Sequence, residues 1–352
     1  MNNYIENIKL TIEYYHNMSQ KNTNIKLSKQ PKQSEELKQF EEFNIESNFY
    51  TKCKSIEDKF KLFATSLLSN FTIKVNNDLI SIEEIEFYYN SKDHKDHYTH
   101  KNKDQLTNSM WYFHQYHNGT YKSGTYKGLD MTFGNNKDSY GGILIRSINN
   151  TTTNEFITGP CNVVNYILKK LNCESIEILV EKMKDKNIFN NKNPFYVEKN
   201  NQQNNIEQNN KEVKIFMGPR VGLSLKYPEY LIKEYRYLKQ PNLIPKYRTT
   251  IISSLHNKGL TKDEIEQTTK LSKTSIKKAI EEFEEGCNLS ETNLKNLKAD
   301  KINKIFGYYC KNNQSNKSNK SNKSITLNIV SDVVPDVVDE KIVKIKKSIK
   351  TK

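Results

Sequence analysis

Apolar residues recur at helical spacing through Glu57–Thr72 (EDKFKLFATSLLSNFT), and then the period shortens. From Ile73 to Ile85 apolar and polar positions alternate, which predicts strand, turn and strand, with Asn76-Asn77-Asp78 as the turn. The alternation places Glu84 and Glu86 on one face of the second strand. Residues 89–140, rich in Gly, Tyr and His, read as short strand-like pieces between turns. Tyr140–Ile148 reads as a buried strand bounded by Gly before and Asn149-Asn150 after. Gly159-Pro160 opens a helix from about Cys161 to Leu171, because proline suits a helical first turn. A second helix is predicted near Ser175–Lys184. Strand character returns over Val213–Leu225 and Glu234–Leu238, and residues 247–285 are helical. The pattern predicts an α+β fold: a mixed, largely antiparallel curved sheet with flanking helices, followed by a small helical module.

Composition then sets the organisation. Residues 1–45 read as an N-terminal helix and a polar linker, 46–245 as the α/β domain with a disordered Asn-rich insertion at about 199–211, and 246–286 as the helical module. Residues 287–352 read as a low-complexity basic tail, marked by Ser-Asn-Lys repeats from about Asn312. The formal net charge of +14 favours a polyanionic partner, most simply double-stranded DNA. Much of that excess lies in tail segments such as Lys341–Lys347, so charge alone leaves the partner open. The five cysteines are widely spread with no Cys-x-x-Cys pair, which argues for reduced thiols in an intracellular protein; a nuclear location is expected. No run of about 18 apolar residues occurs, so no membrane span is expected. A monomer is expected.

Candidate chemistry concentrates between Glu84 and Arg146, which holds Glu84-Ile85-Glu86-Phe87-Tyr88, five of the seven histidines and the only Trp. A carboxylate on a rigid strand near polar partners is what a water-activating base requires. Several blocks, taken in order, resemble the alkyladenine (3-methyladenine) DNA glycosylase family. Its active-site strand reads Glu-x-Glu-x-Tyr with a histidine nine residues beyond the tyrosine; Glu84-Ile85-Glu86-Phe87-Tyr88 and His97 fit. Ile143-Leu144-Ile145-Arg146, Gly159-Pro160, Pro219-Arg220-Val221-Gly222 and Tyr235-Arg236-Tyr237 are similar to its later blocks, in the same order.

The resemblance implies monofunctional hydrolysis of the N-glycosidic bond of alkylated or deaminated purines, after base flipping and without a cofactor. It assigns Glu86 as the base, Arg146 to the water or a backbone phosphate, and Tyr88, His97 and Arg220 to the extruded nucleotide. In an ungapped reading Gly124 and Lys127 occupy the positions of the family's two stacking tyrosines, and Gly134 that of its water-binding asparagine, with Asn135 adjacent. Trp111, Tyr112, Tyr121 and Tyr126 are the aromatics near enough in sequence to substitute. A non-catalytic nucleic-acid-binding module on the same fold is the alternative.

Two further motifs stand beside this one. His94, His97 and His100 have residue types suited to a divalent metal, which makes a metal-dependent hydrolase a second alternative, although their spacing needs a helix and the segment has loop character. Residues 259–280 resemble a helix-turn-helix. Thr261 caps the first helix with Glu264 completing a capping box, Lys270-Leu271-Ser272 forms the turn, and Ile265, Leu271, Ile276 and Ile280 make the seam. Lys273, Thr274, Ser275, Lys277 and Lys278 would then face DNA. A helical hairpin packed on the main domain explains the same pattern.

Overall fold

The computed structural model describes residues 47, 50–200, 213–298 and 301–319. The expected N-terminal helix and linker, residues 201–211 of the Asn-rich insertion and the end of the tail lie outside the described residues. The first helix, α1 (Ile56–Asn70), is closed at its start by a Ser55–Asp58 capping box. Phe60, Phe63, Ala64, Leu67 and Leu68 form its buried stripe. Among the described residues nine strands follow: β1 (Phe71–Val75), β2 (Asp78–Asn90), β3 (Asn108–Phe113), β4 (Leu129–Phe133), β5 (Tyr140–Asn150), β6 (Glu155–Thr158), β7 (Phe195–Lys199), β8 (Phe216–Gly218) and β9 (Arg236–Leu238). Between β6 and β7 come α2 (Pro160–Lys170) and α3 (Ile176–Lys182), and α4 (Pro228–Leu231) precedes β9.

The strands form one curved antiparallel sheet, ordered β3-β4-β5-β2-β1-β7. The long strands β2 and β5 pair from Ile80–Asn90 on one to Tyr140–Asn150 on the other, and each divides its other edge between two short strands. β2 meets β1 and β9; β5 meets β4 and β6. The fold is therefore α+β with an antiparallel sheet. The core face carries Ile85, Phe87, Tyr89, Ile143, Ile145 and Phe133 against α1, with Phe60 stacked on Phe87 at 4.6 Å between ring centroids. Fully burying each such side chain stabilises the fold by about 1.5–3 kcal/mol, so α1 fixes the sheet that carries the polar residues on its other face.

Helices follow β9 to the end of the described residues: α5 (Thr249–Asn257), α6 (Lys262–Thr269), α7 (Lys273–Cys287), α8 (Glu291–Lys295) and α9 (Ile302–Asn319). Helical structure thus continues well past residue 286 and through the first Ser-Asn-Lys unit, so the low-complexity tail expected from 287 begins later. The apolar positions of the 287–309 stretch explain this, because Ile302 and Ile305 are buried with Leu231. Strand character within 213–225 is confined to β8, and the rest is irregular. The helices share a core with the sheet, since Phe216, Leu238, Ile244 and Ile251 cluster together. Residues 32–316 fall in one compact unit. No helix among the described residues is long and apolar enough to cross a membrane.

Candidate active site

The polar face of the sheet owes its content to register. Tyr112, Asp130, Leu144, Glu86 and Arg236 are direct partners across β3, β4, β5, β2 and β9, so their side chains share one face. Two compensating irregularities interrupt the β2–β5 pairing. Ile82 pairs Ile148, Glu84 pairs Ser147 and Ile85 pairs Ile145, which leaves Glu83 and Arg146 as extra residues on their strands. A bulge re-aims a side chain. Arg146 lies on the polar face with Leu144 by simple alternation, whereas Ser147, which strict alternation would send into the core with Ile143 and Ile145, instead joins it beside the acids.

Glu84 and Glu86 are buried there. Arg146 Nε lies 3.0 Å from Glu84 Oε1 and 3.4 Å from Glu86 Oε1, and Arg236 Nε donates to Glu84 Oε1 at 2.7 Å. Ser147 Oγ–H donates to the second Glu84 oxygen. Burial pushes the Glu84 carboxyl up, but Arg236, Arg146 and the Ser147 hydroxyl outweigh it and hold the group below its ordinary value. The same two acids raise Arg146 despite its burial. Glu86 is 0% exposed, and both of its oxygens are engaged: the Val221 backbone N–H donates to Oε1 at 2.8 Å, and Tyr88 Oη–H donates to Oε2 at 2.8 Å. Burial, with the Glu86 charge second, keeps the Tyr88 phenol protonated by raising it well above its usual range.

A second buried pair anchors this arrangement. Asp96 accepts two hydrogen bonds from Arg220, at 2.6 and 3.1 Å, and both side chains are fully buried. Arg220 also donates to the Phe87 and Tyr230 carbonyls, at 2.9 and 3.1 Å, and its guanidinium covers the Tyr88 ring at 4.5 Å. The clamp therefore sets the backbone of the next residue, Val221, whose amide meets Glu86. Arg220 is thus an internal strut; the expectation that it touches an extruded nucleotide is corrected by its complete burial and by the partners that both of its terminal nitrogens already hold.

The histidines part company. His97 is exposed and stacks on Tyr227 at 4.4 Å, away from the carboxylates' hydrogen-bond partners. His94 packs edge-on to Tyr230 and Phe60. His100 faces a different cluster, so the three do not converge, and no group of three or more His, Cys, Asp or Glu among the described residues is placed to hold a metal. This removes the ground for the metal-dependent hydrolase.

That different cluster was not legible in the motifs. His114 Nε2–H donates to the buried Asp130 at 2.8 Å, and His100 packs on His114 with centroids 4.4 Å apart. Lys122 Nζ lies 3.2 Å from His100 Nε2; lysine only donates, so His100 carries its proton on Nδ1, 3.3 Å from Tyr112 Oη. Burial first, then His114, Lys122 and His117, depress His100 to about 3. His100, Lys122 and Tyr112 line a cavity of about 730 Å³, whose walls include neither Glu86, Tyr88 nor Arg146. The only sequence signal was the histidine density itself.

Other expected contacts are redistributed. Trp111 is fully buried against Phe195 at 4.7 Å and is a core residue, unavailable to a base. Asn135 accepts the backbone N–H groups of Lys137, Asp138 and Ser139, capping its own turn. Tyr121 is half-buried, bridged to Gln115 and edge-on to Phe113, while Lys127 donates to Asn165 at 2.7 Å. Tyr126 is 72% exposed at the cavity rim. In the helical module the Thr261–Glu264 capping box forms and Lys270 takes the left-handed conformation. Ser272 caps α7 through the Ser275 N–H, and Lys273, Thr274, Lys277 and Lys278 are exposed. The acids at the far end of α7 are spent internally: Glu284 on His256, Glu285 on Lys304 and Glu282 on Asn303.

No family model matches the chain. Over 207 residues it is 36% identical to an uncharacterized protein of Acanthamoeba polyphaga mimivirus, a match that spans 55% of this chain and 92% of the viral one.

Proposed function

This chain belongs to the family of that uncharacterized mimivirus protein, and we propose that it is a DNA-binding hydrolase of the N-glycosidic bond, of the alkyladenine glycosylase type. One observation carries the reading: three blocks distant in sequence, 84–88, 146 and 220–221, meet around the single carboxylate of Glu86. Their order along the chain is that of the family resemblance.

In this reaction Glu86 takes the proton of a water whose oxygen bonds to the sugar C1′, while the C–N electron pair leaves with the base. The sugar passes through an oxocarbenium-like state whose positive charge a carboxylate stabilises. Arg146 bridges Glu84 and Glu86 and fixes the angle of the base; the Val221 amide and the Tyr88 hydroxyl hold the other lone pairs. An incoming water replaces one of these donors. The exposed lysines of α7 grip phosphates without reading sequence.

A second reading is favoured by the complete burial of Glu86 and its separation from the large cavity: a nucleic-acid-binding module without chemistry. The two are separated by incubating the chain with duplexes containing hypoxanthine or ethenoadenine and then cleaving abasic sites. Strand breaks that disappear with Glu86→Gln support the hydrolase. Duplex binding with no base release, indifferent to Glu86→Gln, supports the binding module.

A further inference from the structure

The cavity of about 730 Å³ lies outside the carboxylate site, and its wall chemistry is one-sided. Lys101, Lys103, Lys122, His100 and His117 line it, and no acidic residue does. The nearby acids are already taken: Asp130 by His114 at 2.8 Å, and Asp104 by Lys186 at 2.7 Å. Burial lowers Lys122, and burial with the neighbouring His114, Lys122 and His117 depresses His100, in each case against the opposing pull of Asp130 behind the wall. Two tyrosines, Tyr116 and Tyr126, stand at the walls 46% and 72% exposed, which leaves their ring faces free to stack. The turn at Tyr116–Gly119 is fixed by the Gly119 N–H on the Tyr116 carbonyl, and Gly119 supplies the positive φ of +85° that the turn needs. The hairpin thus presents Tyr116 and His117 on an ordered frame.

We propose that this cavity binds a nucleotide, with its phosphate on Lys101, Lys103, Lys122 and His117 and its base against Tyr116 and Tyr126. The volume falls within the roughly 300–1,000 Å³ of small-ligand sites. Lysine side chains match phosphate as point charges, and a planar base stacks on tyrosine whatever its identity. The ligand is a free nucleoside monophosphate or the phosphorylated end of a strand; the two present the same groups. The inference is independent of the glycosidic reading, because no residue placed at the carboxylate site lines the cavity.

Titration calorimetry of the full chain with 5′-AMP tests it, with adenosine as the phosphate-free probe. A 5′-phosphorylated DNA octamer is compared with its 5′-hydroxyl counterpart. One-to-one binding of AMP is expected, weakened at least tenfold by Lys103→Ala with Lys122→Ala, and severalfold by Tyr116→Ala with Tyr126→Ala. The tyrosines are exposed, so that second pair keeps the test valid should the lysine variant fold poorly. Glu86→Gln leaves AMP affinity unchanged, which separates this outcome from failure of the hydrolase reading. Tighter binding of the phosphorylated octamer than of AMP identifies a strand end as the source, and the reverse a free nucleotide; both support the site. No AMP binding, equal affinity for adenosine and AMP, or an affinity indifferent to both double variants overturns it.

Discussion

Replacing Arg220 by methionine probes the frame that aims Val221 at Glu86. The guanidinium is fully buried, donates twice to Asp96 and once each to the Phe87 and Tyr230 carbonyls, and covers the Tyr88 ring. Methionine fills much of the space but strands the buried Asp96 carboxylate, and removing one partner of such a pair costs about 3–5 kcal/mol. The two orphaned carbonyls keep the loss toward the upper end, since each buried group left unpaired costs about 1–3 kcal/mol. The expected loss is about 4 kcal/mol, on the order of 10 °C in melting temperature for a domain of this size. Urea unfolding followed by the fluorescence of Trp111, the only Trp and fully buried, reads it directly. Because Asp96 and Arg220 act as a unit, Asp96→Asn combined with Arg220→Met should cost less than the sum of the singles, by about 1–3 kcal/mol. Lys233→Met is the control: its partner Glu57 and Lys233 itself are each 43% exposed, so the loss stays under about 1 kcal/mol. A single-variant loss below about 1 kcal/mol for Arg220→Met, or strict additivity with Asp96→Asn, would refute the strut.

Three other outcomes follow from particular contacts. A Cβ on Gly286 would sit 2.1 Å from the Lys304 carbonyl oxygen, and one on Gly307 2.0 Å from that of Phe283, so Gly286→Ala should force α7 off α9 and lower stability by about 1–3 kcal/mol; an unchanged urea midpoint contradicts this. Glu84 is held below its ordinary value of 4.5, so the unfolded chain binds the proton more readily: its contribution is full above about pH 4.5 and is lost as pH falls through the depressed folded value. The stability gap between wild type and Glu84→Gln should therefore narrow below pH 4.5, and a gap constant to pH 3 contradicts the ion-pair account. For DNA, Lys277→Ala with Lys278→Ala should weaken duplex binding alike across sequences and reduce the slope of log affinity against log salt by about 2; an unaltered slope removes α7 from the interface.

The elements were readable where their signal is local. Alternation marked β1 and β2, an apolar run between Gly and Asn-Asn marked β5, proline marked the start of α2, and Thr261 with Glu264 marked that of α6. Glu84 and Glu86 were visible as one strand face for the same reason. What stayed hidden depends on pairings between distant strands. Ser147 reaches Glu84 because the β2–β5 register shifts at Glu83 and Arg146, and no local pattern announces a bulge at an Ile-Arg-Ser step. Asp130 and His114 meet because β3 and β4 pair, although sixteen residues separate them. His97 was favoured by its spacing, whereas its neighbour Asp96 makes the buried contact, since a carboxylate is what Arg220 requires. Trp111 was offered to a base by its nearness in sequence and went to the core by its position on β3, opposite Met131.

The rate of base release under single-turnover conditions, wild type against Glu86→Gln on a hypoxanthine-containing duplex, tests the account at its centre. General-base catalysis contributes roughly 10²–10⁴-fold, so the variant should be slower by at least about two orders of magnitude while its affinity for the duplex is retained. Equal rates for the two proteins, or no base released by wild type from any lesion while the duplex is bound, would contradict the role assigned to that carboxylate.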